Sequence, residues 1–155
     1  MERAIVGFHQ DDAADWVADL SCGHGQHVRH APPFTLRPWA VTEEGRASKL
    51  GERLECVRCD RFEIPAGFRT TRRTADFTEA TVPAGLLRDH TTKAGTWGRI
   101  VVQEGTLRYV VERFARDELL TPDAPGVVVP ELPHHVEPIG AVRFHVEFLR
   151  APEDG

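Results

Sequence analysis

Three cysteines and the histidine beside one of them carry the clearest chemistry in this 155-residue chain. Cys56 and Cys59 stand in a C-x-x-C, and Cys22 lies upstream with His24 two residues on. Zinc takes thiolate and imidazole ligands in a tetrahedron, and two ligands from each of two turns close such a site. The predicted set is Cys22, His24, Cys56 and Cys59, with His27 and His30 as alternates for the imidazole. An odd cysteine count with this spacing suits metal or redox chemistry better than a disulfide framework. No βαβ pattern surrounds the C-x-x-C, which weighs against a thioredoxin-like redox pair. Two reduced buried thiols with surface histidines form the plainer alternative.

The elements that must position these ligands read as short. Ala4 to Phe8 is an apolar run followed by a polar turn at Gln10-Asp11-Asp12. Trp16, Ala18 and Leu20 alternate with polar neighbours, the period of a half-buried strand. Gly23-His24-Gly25 is fit for a tight turn, and Gln26 to His30 would return as the second strand of a hairpin. Thr42-Glu43-Glu44 reads as an N-cap with acids in the first turn of a short helix that stops at Gly51. Leu54 to Asp60 holds the cysteine pair in a knuckle-like turn. A core this small needs a staple. The chain therefore divides near residue 61, into a zinc module over 1–61 and a second domain over 62–155.

Composition bounds the rest. Hydrophobic residues make up 41% and charged residues 28%, enough for a packed core in a soluble protein. A net charge of −5 argues against a nucleic-acid partner, which needs a basic face. No apolar run approaches the ~20 residues of a membrane span, and the N-terminus lacks the apolar core of a signal peptide. A cytoplasmic location without membrane attachment is the expectation.

From residue 62 onward, strands and turns alternate at short spacing, the pattern of an all-β sandwich or barrel. Trp97 to Gln103 and Thr106 to Phe114 read as strands joined by a hairpin turn at Glu104-Gly105. Arg116 to Leu120 is the one candidate helix. Ala141 to Leu149 alternates cleanly, with Val142, Phe144, Val146 and Phe148 on one face and Arg143, His145, Glu147 and Leu149 on the other. The apolar row is also a candidate dimer face.

Two resemblances follow from particular residues. Cys22-Gly23-His24, Gln26 to His30, Pro32-Pro33, Arg37-Pro38-Trp39 and Cys56-x-x-Cys59 resemble a small bacterial domain of unknown function that is presumed to bind zinc. Gly85, Gly98 and Gly105 match the glycine spacing of the first cupin motif, although its ligand positions fall on Thr91, Lys93 and Gly98, none a usual metal ligand. Val82 to Leu86, Asp89 to Gly98, Val101 to Gly105, Pro133-His134, Val136 to Pro138 and the run Phe144 to Phe148 resemble the tellurite-resistance-protein-B-like family of small cupins. That resemblance implies a mainly β, cupin-like double-stranded β-helix, or jelly-roll barrel, behind the zinc-stapled hairpin and short-helix module. Methyl transfer to tellurium belongs to a different, SAM-binding domain, and nothing in this chain resembles one.

Carried over by position, the resemblance implies a barrel site of His90, His134 and Glu147, with His135 and His145 as alternates. Two imidazoles and a carboxylate leave open positions on a divalent zinc, iron or nickel ion. Arg88 is a candidate for an anionic ligand, and Trp97, Tyr109 and Phe144 for the lumen wall. A metal-free cluster, His90 bonded to Glu147, is the alternative. The functional expectation is a metal-dependent cupin that binds a small molecule or oxyanion in a stress or tellurite-type response, with the question of catalysis open. A zinc-thiolate sensing or binding module and a structural, homodimer-forming protein are the competing classes.

Overall fold

The computed structural model describes residues 1–153, which fall into two units, 1–61 and 62 onward.

The first unit is one antiparallel sheet of four strands in the order β3-β2-β1-β4. The strands are β1 (Glu2–Gln10), β2 (Trp16–Leu20), β3 (Gly25–His27) and β4 (Arg53–Glu55). Strand β1 is the spine. It pairs with β2 through Ile5 opposite Leu20, and with β4 through Glu2 opposite Glu55. Both neighbouring strands therefore end beside the first residues of β1. The turns that follow them carry Cys22 and Cys56. Backbone bonds continue the register past the strand ends, from Ser21 N–H to the Ala4 carbonyl (2.9 Å) and from Cys56 N–H to the Met1 carbonyl (2.8 Å).

Helix α1 (Glu43–Ser48) starts at Thr42, whose Oγ1 accepts the Gly45 N–H at 3.0 Å. Gly45 has no room for a side chain, since a Cβ there would lie 2.3 Å from the Trp39 carbonyl oxygen. The C-x-x-C segment is tighter than a knuckle turn: Val57–Asp60 form a single helical turn, α2, with Cys56 at its N-cap.

The second unit is a six-stranded antiparallel sheet in the order β5-β10-β7-β8, with β6 paired to β10 and β9 to β7. These are β5 (Arg69–Arg73), β6 (Phe77–Thr78), β7 (Trp97–Val111), β8 (Arg116–Leu120), β9 (Gly126–Val128) and β10 (His135–Arg150). Strands β7 and β10 pair along almost their whole length, from His135 opposite Val110 to Leu149 opposite Trp97. Among the described residues the hydrogen-bonded path stays open rather than closing into a barrel.

Two sequence expectations fail here. Glu104-Gly105 is not a hairpin turn. Gly105 stays inside β7 opposite Val142, at a break in register, with φ of +82°. A Cβ would sit 2.1 Å from the Ala141 carbonyl oxygen. The glycine serves a bulge, which bends and twists the strand pair without ending it. Arg116–Leu120 is strand β8, not helix. It pairs with Val111 to Leu107 of β7, and Ala115 in the left-handed region (φ 51°) makes the corner before it.

Candidate functional site

The two ligand-bearing turns of the first unit bring four donor atoms together. Cys22, His24, Cys56 and Cys59 are all buried, and their donor atoms lie within 4.8 Å of one another. His24 Nδ1 is 3.4 Å from Cys22 Sγ, 3.3 Å from Cys56 Sγ and 3.7 Å from Cys59 Sγ. Cys22 and Cys56 Sγ are 3.9 Å apart. One ring nitrogen carries at most one proton, so it cannot donate to three sulfurs. The spacing fits a different arrangement. With Zn–S bonds of about 2.3 Å and Zn–N bonds of about 2.0 Å, a tetrahedron has S–S edges of about 3.8 Å and N–S edges of about 3.5 Å. The donor set thus fits tetrahedral zinc in both chemistry and dimensions.

Local structure explains how Cys22 and His24 can point the same way. Gly23 between them has φ of 99°, and the turn is pinned by Gly23 N–H to the Leu20 carbonyl (2.9 Å) and Leu20 N–H to the His24 carbonyl (3.0 Å). The alternates are engaged elsewhere. His27 Nε2 meets Asp11 Oδ2 at 2.7 Å, and His30 Nδ1 accepts the Arg37 N–H at 3.0 Å.

Without a metal the thiols share protons unequally. A hydrogen bond from Cys59 holds the Cys22 thiol below its ordinary pKa. The same bond, helped by burial, pushes Cys59 up to about 12. Burial raises Cys56. The side chain of Arg3, itself buried, hydrogen-bonds Cys59 and pulls the other way. Three thiolates, one neutral imidazole and Zn²⁺ carry one net negative charge, and a buried negative site needs a nearby cation. Sequence reading missed Arg3. Nothing in a lone arginine on a strand marks it until the register puts it between the two ligand turns.

In the second unit a cavity of about 510 Å³ lies against one face of the sheet. The inward positions of β10 are Val136, Phe144, Val146, Phe148 and Arg150; Ile100 of β7 and Val128 of β9 continue the wall. Of the row Val142, Phe144, Val146 and Phe148, the last three face this cavity.

His90 and His134 meet at the cavity. Each donates its backbone N–H to the other's carbonyl at 3.0 Å, and the ring centroids are 4.1 Å apart. Each ring is anchored at Nδ1: His90 to the Arg88 carbonyl at 3.1 Å, His134 to the Leu132 carbonyl at 3.0 Å. A carbonyl only accepts, so Nδ1 carries the proton and the Nε2 lone pair is left available. Burial, with His90 as a neighbour, pushes the His134 pKa down to about 4, so the ring is neutral near pH 7.

The other residues expected at this site are placed elsewhere. Successive strand residues point to opposite faces, and Glu147 lies between Val146 and Phe148. It turns away from the cavity, toward Arg99 (3.9 Å), His145 (3.8 Å) and Thr70 (3.5 Å). His145 shares that face, where Gln103 donates to its Nδ1 at 2.8 Å. The set His90, His134 and Glu147 is therefore not assembled. His135 Nδ1 meets Asp89 at 3.0 Å. Trp97, opposite Leu149, is on the reverse face and fully buried. Tyr109 is buried beside His134 and donates its hydroxyl to the Val127 carbonyl at 2.7 Å, off the cavity wall. Arg88 contributes a carbonyl, not a guanidinium, to the site. Signals that point to the cavity instead were present in Thr91 and Lys93, the empty ligand positions of the cupin spacing, which both line it.

Residues 72–146 match the TehB-like domain. Residues 6–63 match a family described as a protein of unknown function (DUF3565). The TehB-like match covers β6 to most of β10, including both histidines of the cavity. Among solved structures, a protein from E. coli strain K12 is similar with a TM-score of 0.53 and 27% identity, over 59% of this chain and 98% of that one. TehB from Haemophilus influenzae is similar in fold, with a TM-score of 0.52 and 24% identity, over 57% of this chain. The chain spans about a third, 33%, of that TehB chain. No curated protein matched. No helix among the described residues is long and apolar enough to cross a membrane.

Proposed function

We propose that the chain joins a zinc-stapled module to a TehB-like small-molecule-binding module. The observation that carries the first half is the tetrahedral spacing of His24 Nδ1 and the three cysteine sulfurs. Zinc there would be held by Cys22, His24, Cys56 and Cys59 and would have no open position, the form of a structural site. It would supply folding energy to a sheet with few buried side chains.

The second half rests on the cavity at His90 and His134, whose volume is in the range of small-ligand sites. A cupin-like double-stranded β-helix is the architecture this reading assigns to the unit, supported by the bent β7–β10 pair and the cavity against it. The expected partner is a small molecule or oxyanion, in a cytoplasmic response of the tellurite-resistance type suggested by the family's name. No residue is assigned a catalytic step.

The test is cobalt substitution of the full chain. Three thiolates and an imidazole around Co²⁺ give intense sulfur-to-metal charge transfer and tetrahedral d–d bands. The reading requires both, and requires Cys56→Ala to lose them. Weak octahedral spectra, unchanged by that substitution, would refute it.

A further inference from the structure

The charged groups at the cavity are all of one sign. Arg72, Lys93 and Arg150 line it, and no carboxylate among the described residues does. None of the three forms an ion pair with another described residue, while most arginines elsewhere on this unit's surface do, among them Arg73, Arg99, Arg108, Arg116 and Arg143. Two of them are fixed to one end of the sheet. Arg72 pairs with Phe148 across β5 and β10, its guanidinium 4.5 Å over the Phe148 ring, and Arg150 is two residues further along the same face. Exposed cations on the wall of one concavity, without an ion pair among the described residues, raise the local concentration of anions.

The remaining wall says what kind of anion. Phe77, Ile100, Phe144 and Val146 make much of it apolar. An inorganic oxyanion would leave that surface facing water, whereas an organic body would cover it. The two imidazoles, tied at Nδ1 to carbonyls, present Nε2 acceptors that call for a donor on the ligand. We propose that the cavity takes an organic monoanion: a carboxylate beside Arg72, Lys93 and Arg150, an apolar or aromatic body against Phe144 and Val146, and a hydroxyl that donates to His90 or His134. The inference rests on the small-molecule reading above and adds the class of ligand.

The experiment titrates the full-length, zinc-loaded protein with salicylate, with its neutral amide salicylamide, and with sulfate, followed by amide-resolved NMR. Salicylate shifts the amides of His90, Thr91 and Phe144, and binds about tenfold more tightly than salicylamide, the gain of one charge-assisted contact. Salt weakens salicylate binding. The double variant Arg72→Gln/Arg150→Gln, whose side chains are exposed, keeps its melting temperature, loses about tenfold for salicylate and nothing for salicylamide. Equal binding of salicylate and salicylamide overturns the anion claim and leaves the small-molecule reading standing. Full displacement of salicylate by sulfate at equal concentration overturns the organic class. No cavity shift with any probe overturns both this inference and the reading beneath it.

Discussion

What each buried polar atom is bonded to decides how the individual residues behave. His134 is held neutral in the native state down to about pH 4, whereas an unfolded imidazole protonates near pH 6.5. Between those values the unfolded chain binds more protons, so stability falls as pH falls through that window and levels off below it. At 1.36 kcal/mol per unit the full loss is about 3 kcal/mol. Urea unfolding at several pH values should show this slope, and His134→Asn, which can keep the bond to the Leu132 carbonyl, should flatten it. An unchanged slope would mean that His134 is not buried as described. Arg3 offers a second residue-scale test. Arg3→Met should leave one zinc bound but speed its transfer to a chelator by about 10–100-fold, the usual cost of losing an outer partner of a metal ligand. Zinc release at the wild-type rate would remove Arg3 from the site.

Element scale is where strand parity and bulges decide which side chains meet. Alternation along Ala141 to Leu149 was legible in the sequence, and so was the helix cap at Thr42. Parity then required a choice: Phe144, Val146 and Phe148 face the cavity, so Glu147 cannot join His90 and His134 there. The family-based carry-over put Glu147 into the site in spite of its own strand pattern. Trp97 was misplaced for the same reason, because its face depends on its pairing with Leu149, a contact that local sequence does not encode. Gly105 suggests a turn because glycine tolerates positive φ, and only its pairing partner shows a bulge. That bulge can be tested. Gly105→Val combines a left-handed φ with a carbonyl 2.1 Å from the new Cβ, and should cost roughly 2–4 kcal/mol. Gly140→Ala has a positive φ but open space around it, and should cost only about 1 kcal/mol. Equal costs in urea unfolding would show that backbone conformation, not the Ala141 carbonyl, sets the requirement at Gly105.

For the whole molecule, the four donors that the sequence singles out in the first unit do come together as a group that could hold a metal, because cysteine and histidine at these spacings have few other uses. The second unit was legible as mainly β but not as an open sheet with β7 and β10 as its long central pair. Closure depends on which edge strands find partners, and β5 and β9 are too short and too ordinary in composition to declare theirs. Four donors grouped in one unit, against two imidazoles without a carboxylate in the other, make metal content the sharpest test of the zinc proposal. The most direct measurement is elemental analysis of the purified full-length protein beside its Cys59→Ala variant. One zinc per wild-type chain is expected, with most of it lost in the variant and no other transition metal in either. A wild-type chain free of zinc, or a metal equivalent that survives Cys59→Ala, would contradict that expectation.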